Sequence, residues 1–133
     1  MAMDPKMKIL IVDDMSTMRK IVKNMLQKMG FSEFQEAPDG QPAWELIQQA
    51  DQMGKPFGLI VSDWNMPGMT GLDLLKNIRS NERVKGVPFI MVTAEGDQAN
   101  VIEAVKAGVN NFVVKPFSQQ IFEEKIKKVF KIP

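Results

Sequence analysis

The chain has 133 residues, 44% hydrophobic and 25% charged, which suits one domain with one core and leaves no length for a second folded module. Acidic and basic side chains are interspersed and nearly balance at a formal net charge of +1, so no nucleic-acid or membrane surface is expected. With neither cysteine nor histidine, the chain is excluded from disulfides, thiol nucleophiles, imidazole metal ligation and Ser-His-Asp catalysis.

Chemistry must therefore run on carboxylates, hydroxyls, amines and the backbone. The lack of cysteine fits a cytoplasmic protein. No apolar run approaches the roughly 20 residues of a membrane span, and no signal-peptide pattern is present. Any output domain is expected on a separate protein.

In chain order, MAMDP (1–5) is set aside as a tail, in part a cloning remnant. KILIV (8–12) is short, continuous and β-branched, the pattern of a strand buried on both faces. Met18, Ile21, Val22, Met25, Leu26 and Met29 then recur at three and four residues, predicting an amphipathic helix that Gly30 ends. A weaker strand is expected at Glu33–Ala37. The helix after it begins near Gln41, with Pro42 tolerated in its first turn.

FGLIV (57–61) reads as the third strand and Leu72–Arg79 as the helix that follows it. PFIMV (88–92) is the fourth strand, followed by a helix at Gln98–Ala107 that stops at Gly108. NFVV (111–114) is the fifth strand, and Ile121, Phe122, Ile126, Val129 and Phe130 stripe the last helix. Alternating strands and helices imply parallel pairing with right-handed crossovers. The expected fold is α/β: a doubly wound, five-stranded parallel sheet with helices on both faces. QQADQMGKPFG is longer than a minimal helix-to-strand connection and reads as a surface turn without a catalytic role. The eleven methionines read as core fillers.

Ligands of open parallel sheets bind beyond the carboxyl ends of the strands. Asp13 and Asp14 stand past the first predicted strand, Asp63 past the third, Thr93 and Glu95 past the fourth, and Lys115 past the fifth. Three clustered carboxylates need a cation to stay ionised near neutral pH. All-oxygen ligation favours a hard ion, Mg²⁺ before others. With a lysine and a hydroxyl beside it, such an ion makes a phosphoryl site, with an aspartate as the attacking group.

Plainer readings exist for each residue. Asp13 or Asp14 suits a helix N-cap, Thr93 an ordinary strand end, and Lys115 a solvated surface lysine before a strand-stopping proline. Asp63 resists the capping reading, because Pro67 and Gly68 follow it and make a loop.

DD at 13–14, SDWNMPGMTG at 62–71, VTAE at 92–95 and KPF at 115–117 together resemble the receiver domain of two-component response regulators. DDMSTMRKIV and SDWNMP are most similar to its stand-alone chemotaxis members. The resemblance runs from about residue 6 to 130, so residues 6–131 are read as one receiver domain. It implies a flavodoxin-like sheet with strand order 2-1-3-4-5 and Asp63 as phosphoacceptor. Asp14 and Asp63 would ligate Mg²⁺ directly, Asp13 largely through water, and Asn65 through its backbone carbonyl. Lys115 would pair with the phosphoryl group, and the Lys115–Pro116 bond would be cis.

Asn65 and Glu95 would set the phosphate lifetime. Thr93 would turn toward the phosphoryl group while the aromatic at position 112 moves into the vacated space. That aromatic is usually tyrosine in close relatives. Phe112 cannot make the phenolic hydrogen bond, and it also reads as a plain packing residue.

The implied donor is a phosphohistidine on a histidine kinase. The implied partner surface combines the fourth helix, fifth strand and last helix. The implied target is a flagellar motor switch protein, and a dedicated phosphatase is admitted as a further partner. A monomer is expected, acting as a switch and not as an enzyme on a separate substrate.

Alternatives are a stand-alone receiver serving another target or acting as a phosphate sink, and a haloacid-dehalogenase-type phosphatase. The latter wants an aspartate two residues beyond its nucleophile, where Asn65 stands. A nucleotide-binding module is weaker, since DDMST occupies the place of a glycine-rich loop.

Overall fold

Five strands and five helices alternate along the chain in the computed structural model, which describes residues 4–94 and 98–130. They are β1 (Lys8–Val12), α1 (Ser16–Lys28), β2 (Glu33–Ala37), α2 (Gly40–Gln52), β3 (Leu59–Asp63), α3 (Gly71–Arg79), β4 (Phe89–Ala94), α4 (Gln98–Ala107), β5 (Asn111–Lys115) and α5 (Gln119–Val129). Every strand pair is parallel, and the order across the sheet is β2-β1-β3-β4-β5, as expected.

The strand sequences explain the layers. In β1, Ile9 and Ile11 face one way and Leu10 and Val12 the other, and all four are buried. Ile9 and Ile11 join Val22 and Leu26 of α1 with Phe122 and Ile126 of α5 in one apolar layer. Leu10 and Val12 join Ile47 of α2, Leu74, Leu75 and Ile78 of α3 and Ala104 of α4 in the other. A strand between two helix layers must be apolar on both faces, which is why β1 reads as a continuous hydrophobic run. β2 lies at the sheet edge and buries only Ala37 fully, which accounts for its weak signal.

Five expected strand boundaries move, at both ends of β3 and β4 and at the end of β5. β3 starts at Leu59, because Phe57 turns into the apolar layer below the strand and Gly58 N donates to Lys8 O at 2.8 Å. β3 and β4 then extend farther, to Asp63 and Ala94, with Trp64 N donating to Val92 O at 2.9 Å. Asp63, Thr93 and Lys115 are therefore the last or next-to-last residues of their strands and do not stand past them. Strand geometry holds their Cα positions.

The helix-capping reading of the aspartates also fails. The N-cap of α1 is Met15, which makes no side-chain cap bond, while Asp39 and Thr70 cap α2 and α3. The long α2–β3 connection lies at the amino edge of the sheet, where Pro56 and Phe57 line a cavity of about 290 Å³ with Ile60, Val84 and Pro88. Methionines do fill the core at Met66 and Met91, whereas Met15 and Met53 are exposed.

Candidate functional site

Asp63 ends the central strand β3 and is only 6% exposed. The chain then leaves the sheet through residues 64–70 and returns so closely that Gly71 N donates to Trp64 O at 3.0 Å. A Cβ at Gly71 would lie 2.3 Å from the Asp63 carbonyl oxygen, so only glycine fits there. Thr70 closes the loop with a capping box: its hydroxyl accepts from Asp73 N, and the Asp73 carboxylate accepts from Thr70 N. This excursion delays the helix and keeps its backbone from covering the Asp63 carboxylate.

Asp13 follows β1 directly. Its backbone N–H donates to Ala37 O at 3.1 Å, and its Oδ1 accepts from Met15 N at 2.9 Å. Asp14, beside it, is exposed. One carboxylate oxygen from each of Asp13, Asp14 and Asp63 lies within 4.8 Å of the others. Lys115 Nζ sits 3.1 Å from Asp63 Oδ1 and 3.9 Å from Asp13 Oδ2. Thr93 is buried, and its Oγ1 has no hydrogen-bond partner among the described residues. A buried hydroxyl without a partner is uncommon and calls for an explanation.

The electrostatics suit a divalent cation. Burial pushes Asp13 up to about 6, with the charges on Asp63 and Asp14 adding to the effect, while the Met15 N–H and Lys115 oppose it. Burial also raises Asp63, against the hydrogen bond and charge of Lys115. A single ammonium cannot balance three carboxylates. Their oxygen-only donor set, with one member open to solvent, fits a hard divalent ion of the Mg²⁺ type, which keeps several waters.

The remaining expected residues fall around this centre. Asn65 is exposed two positions beyond Asp63. Glu95 lies outside the described residues. The Lys115–Pro116 peptide bond is cis. Phe112 is half-buried, with Lys125 Nζ 5.1 Å from its ring centroid. With Thr93, Val101, Ile102 and Val114, Phe112 lines an open cavity of about 470 Å³. Ile102 and Val105 of α4, Val114 of β5 and Ile121 of α5 are exposed, leaving an apolar face beside that cavity.

Two contributors escaped the sequence reading. Gly71 was visible only as part of a motif, since its role depends on where the chain returns. Arg19 lies on the helical turn after Asp14 and donates to the Asp13 carbonyl, a contact that no spacing rule announces.

Residues 9–127 match the protein family described as "Response regulator receiver domain". The chain is 51% identical over 128 residues to chemotaxis protein CheY-3 of Vibrio cholerae serotype O1, covering 96% of this chain and 95% of that protein. It is 52% identical over 124 residues to chemotaxis protein CheY of Pseudomonas aeruginosa, covering 93% and 96%. Among solved structures, Vibrio cholerae CheY4 superposes with a TM-score of 0.81 at 33% identity, covering 93% of this chain and 98% of that one.

Proposed function

The chain belongs to the response regulator receiver family, and from that premise we propose that it is a phosphorylation-activated response regulator of chemotaxis. The observation that carries this reading is the gathering around Asp63 of two further carboxylates and the Lys115 ammonium, while the neighbouring strand β4 carries the buried Thr93 hydroxyl, without a hydrogen-bond partner among the described residues.

An Asp63 carboxylate oxygen attacks the phosphorus of a phosphohistidine on a partner kinase. The nitrogen–phosphorus bond breaks, and its electron pair returns to the imidazole, which takes up a proton from water. Lys115 occupies Oδ1 of Asp63 and is placed to neutralise charge on the arriving phosphoryl oxygens. Mg²⁺, held by Asp14 and Asp63, by Asp13 through water and by the Asn65 carbonyl, would supply the remaining neutralisation. A strand end holds the nucleophile more rigidly than a loop would.

Once phosphorylated, Asp63 presents an acceptor to Thr93 Oγ1, whose hydroxyl is buried without a partner among the described residues. Movement of Thr93 frees space beside Phe112, in the cavity that both residues line. The apolar face of α4, β5 and α5 then changes shape for a partner, and the kinship with chemotaxis proteins supports a flagellar motor switch protein in that place. A preference of a few kcal/mol for the active shape changes partner occupancy substantially. Asn65 and Glu95 set how fast water removes the phosphate. The protein turns over no separate substrate.

Intact mass after incubation with Mg²⁺ and acetyl phosphate tests the chemistry. The expected result is a labile gain of one phosphoryl group, absent without Mg²⁺ and absent in Asp63→Asn. A wild type that binds Mg²⁺ and gains no mass would refute the proposal.

A further inference from the structure

We infer that Arg19 is a positioning residue for the divalent-cation site, acting as a brace behind the acidic β1–α1 turn. The inference rests on the metal reading above. Arg19 Nη1 donates to the Asp13 carbonyl oxygen at 2.6 Å, and its Nε donates to Glu36 Oε1 of β2 at 3.0 Å. The guanidinium thus spans from the turn to the neighbouring edge strand, and its side chain is only 18% exposed.

The Asp13 carbonyl is one half of the Asp13–Asp14 peptide group. Holding that oxygen fixes the plane of the peptide, and with it the direction in which Asp14 leaves the strand. Asp13 is held further by its N–H, which donates to Ala37 O, and by its Oδ1, which accepts from Met15 N, while Met15 O accepts from Met18 N and Arg19 N. Arg19 supplies the contact that carries this order forward to the exposed Asp14. Its fork suits the task, because two donors in one plane can engage two acceptors at once.

A fixed cation behind a cation site would ordinarily weaken binding. Glu36 removes that difficulty by pairing with the same guanidinium, so the brace adds little net positive field. The arrangement separates geometry, which comes from Arg19, from charge balance, which comes from Glu36.

Mg²⁺ binding to the full chain, by calorimetric titration and by competition against the Mn²⁺ paramagnetic resonance signal, tests the inference. Residues that orient metal ligands from behind typically change affinity by about 10- to 100-fold when lost, and Arg19→Ala is expected at the lower end, about tenfold weaker. That loss persists at high salt, because it is geometric. Arg19→Lys, with one ammonium in place of the fork, recovers part of the affinity. It also provides the reading if Arg19→Ala proves unfolded by thermal melting without metal.

Glu36→Gln keeps the brace but unbalances its charge, giving a smaller loss that fades as salt rises. Arg19→Ala or Arg19→Lys binding Mg²⁺ as tightly as the wild type, or more tightly, overturns the brace. A wild type that binds no Mg²⁺ overturns the metal reading itself and the brace with it.

Discussion

The two ends of the sheet treat polar groups in opposite ways. At the carboxyl edge, Asp13 and Asp63 are buried beside each other, their carboxyls are raised by that burial, and the Thr93 hydroxyl has no partner among the described residues. At the amino edge, Arg79 is half-buried, enough for burial to push its guanidinium down, yet it is well supplied with acceptors. It donates to Gly108 O, Lys85 O, Val87 O and Asn110 Oδ1. Asn110 Oδ1 in turn accepts from Phe89 N at the start of β4. One edge is satisfied within the chain, while the other keeps clustered carboxylates that a single ammonium does not balance. Burial alone does not mark a site; burial with unmatched charge or unmatched hydrogen bonding does.

The largest test of this contrast is pH. Asp13 rises from its usual 3.8 to about 6 in the fold, so its ionised form opposes folding above that value. The metal-free protein should therefore gain stability as pH falls through about 6, with the gain complete once the unfolded chain also protonates near 3.8. For Asp13 alone this amounts to about 3 kcal/mol, readable as a denaturant midpoint that rises on acidification. Saturating Mg²⁺ favours the ionised form and should flatten the rise, and the ion's affinity should fall below about pH 6.

Gly71→Ala should lower stability by about 3 kcal/mol, the upper end for overpacking, since a Cβ against the Asp63 carbonyl forces a backbone shift. Because that shift falls on the Asp63 carbonyl, phosphorylation should slow out of proportion to the lost stability. An unchanged phosphorylation rate would show that the loop return does not position Asp63.

Next in size, Asp13→Asn in the metal-free protein at pH 7 should raise stability by about 2 kcal/mol while weakening Mg²⁺ binding, because it removes a buried charge. Arg79→Ala should act in the opposite sense. It strips the donor from four acceptors and lowers stability by about 2 kcal/mol, with the rate of phosphorylation by acetyl phosphate retained in the folded fraction. If both substitutions shifted the melting temperature in the same direction, the contrast between the edges would be lost.

Much of this was legible beforehand. Buried strands such as KILIV announce themselves because a central parallel strand is apolar on both faces, and α4 spans the expected Gln98–Ala107. The carboxylates, Thr93 and Lys115 were legible as candidates because parallel topology sends all strand ends to one edge. Less legible were the limits of β3 and β4. Asp63 and Thr93 resemble loop residues in sequence, yet the ladder to neighbouring strands carries them into the sheet.

The sequence by itself determined the alternation of elements, the edge to which the polar residues go, and the absence of any histidine or cysteine chemistry. These follow from periodicity and composition, which are local properties of the chain. Only the tertiary structure decided that Lys115 reaches Asp63, that Gly71 returns against the Asp63 carbonyl, and that Arg19 ties the acidic turn to β2. Each joins residues from different parts of the chain, and their energies depend on separations and burial that exist only after the sheet has formed.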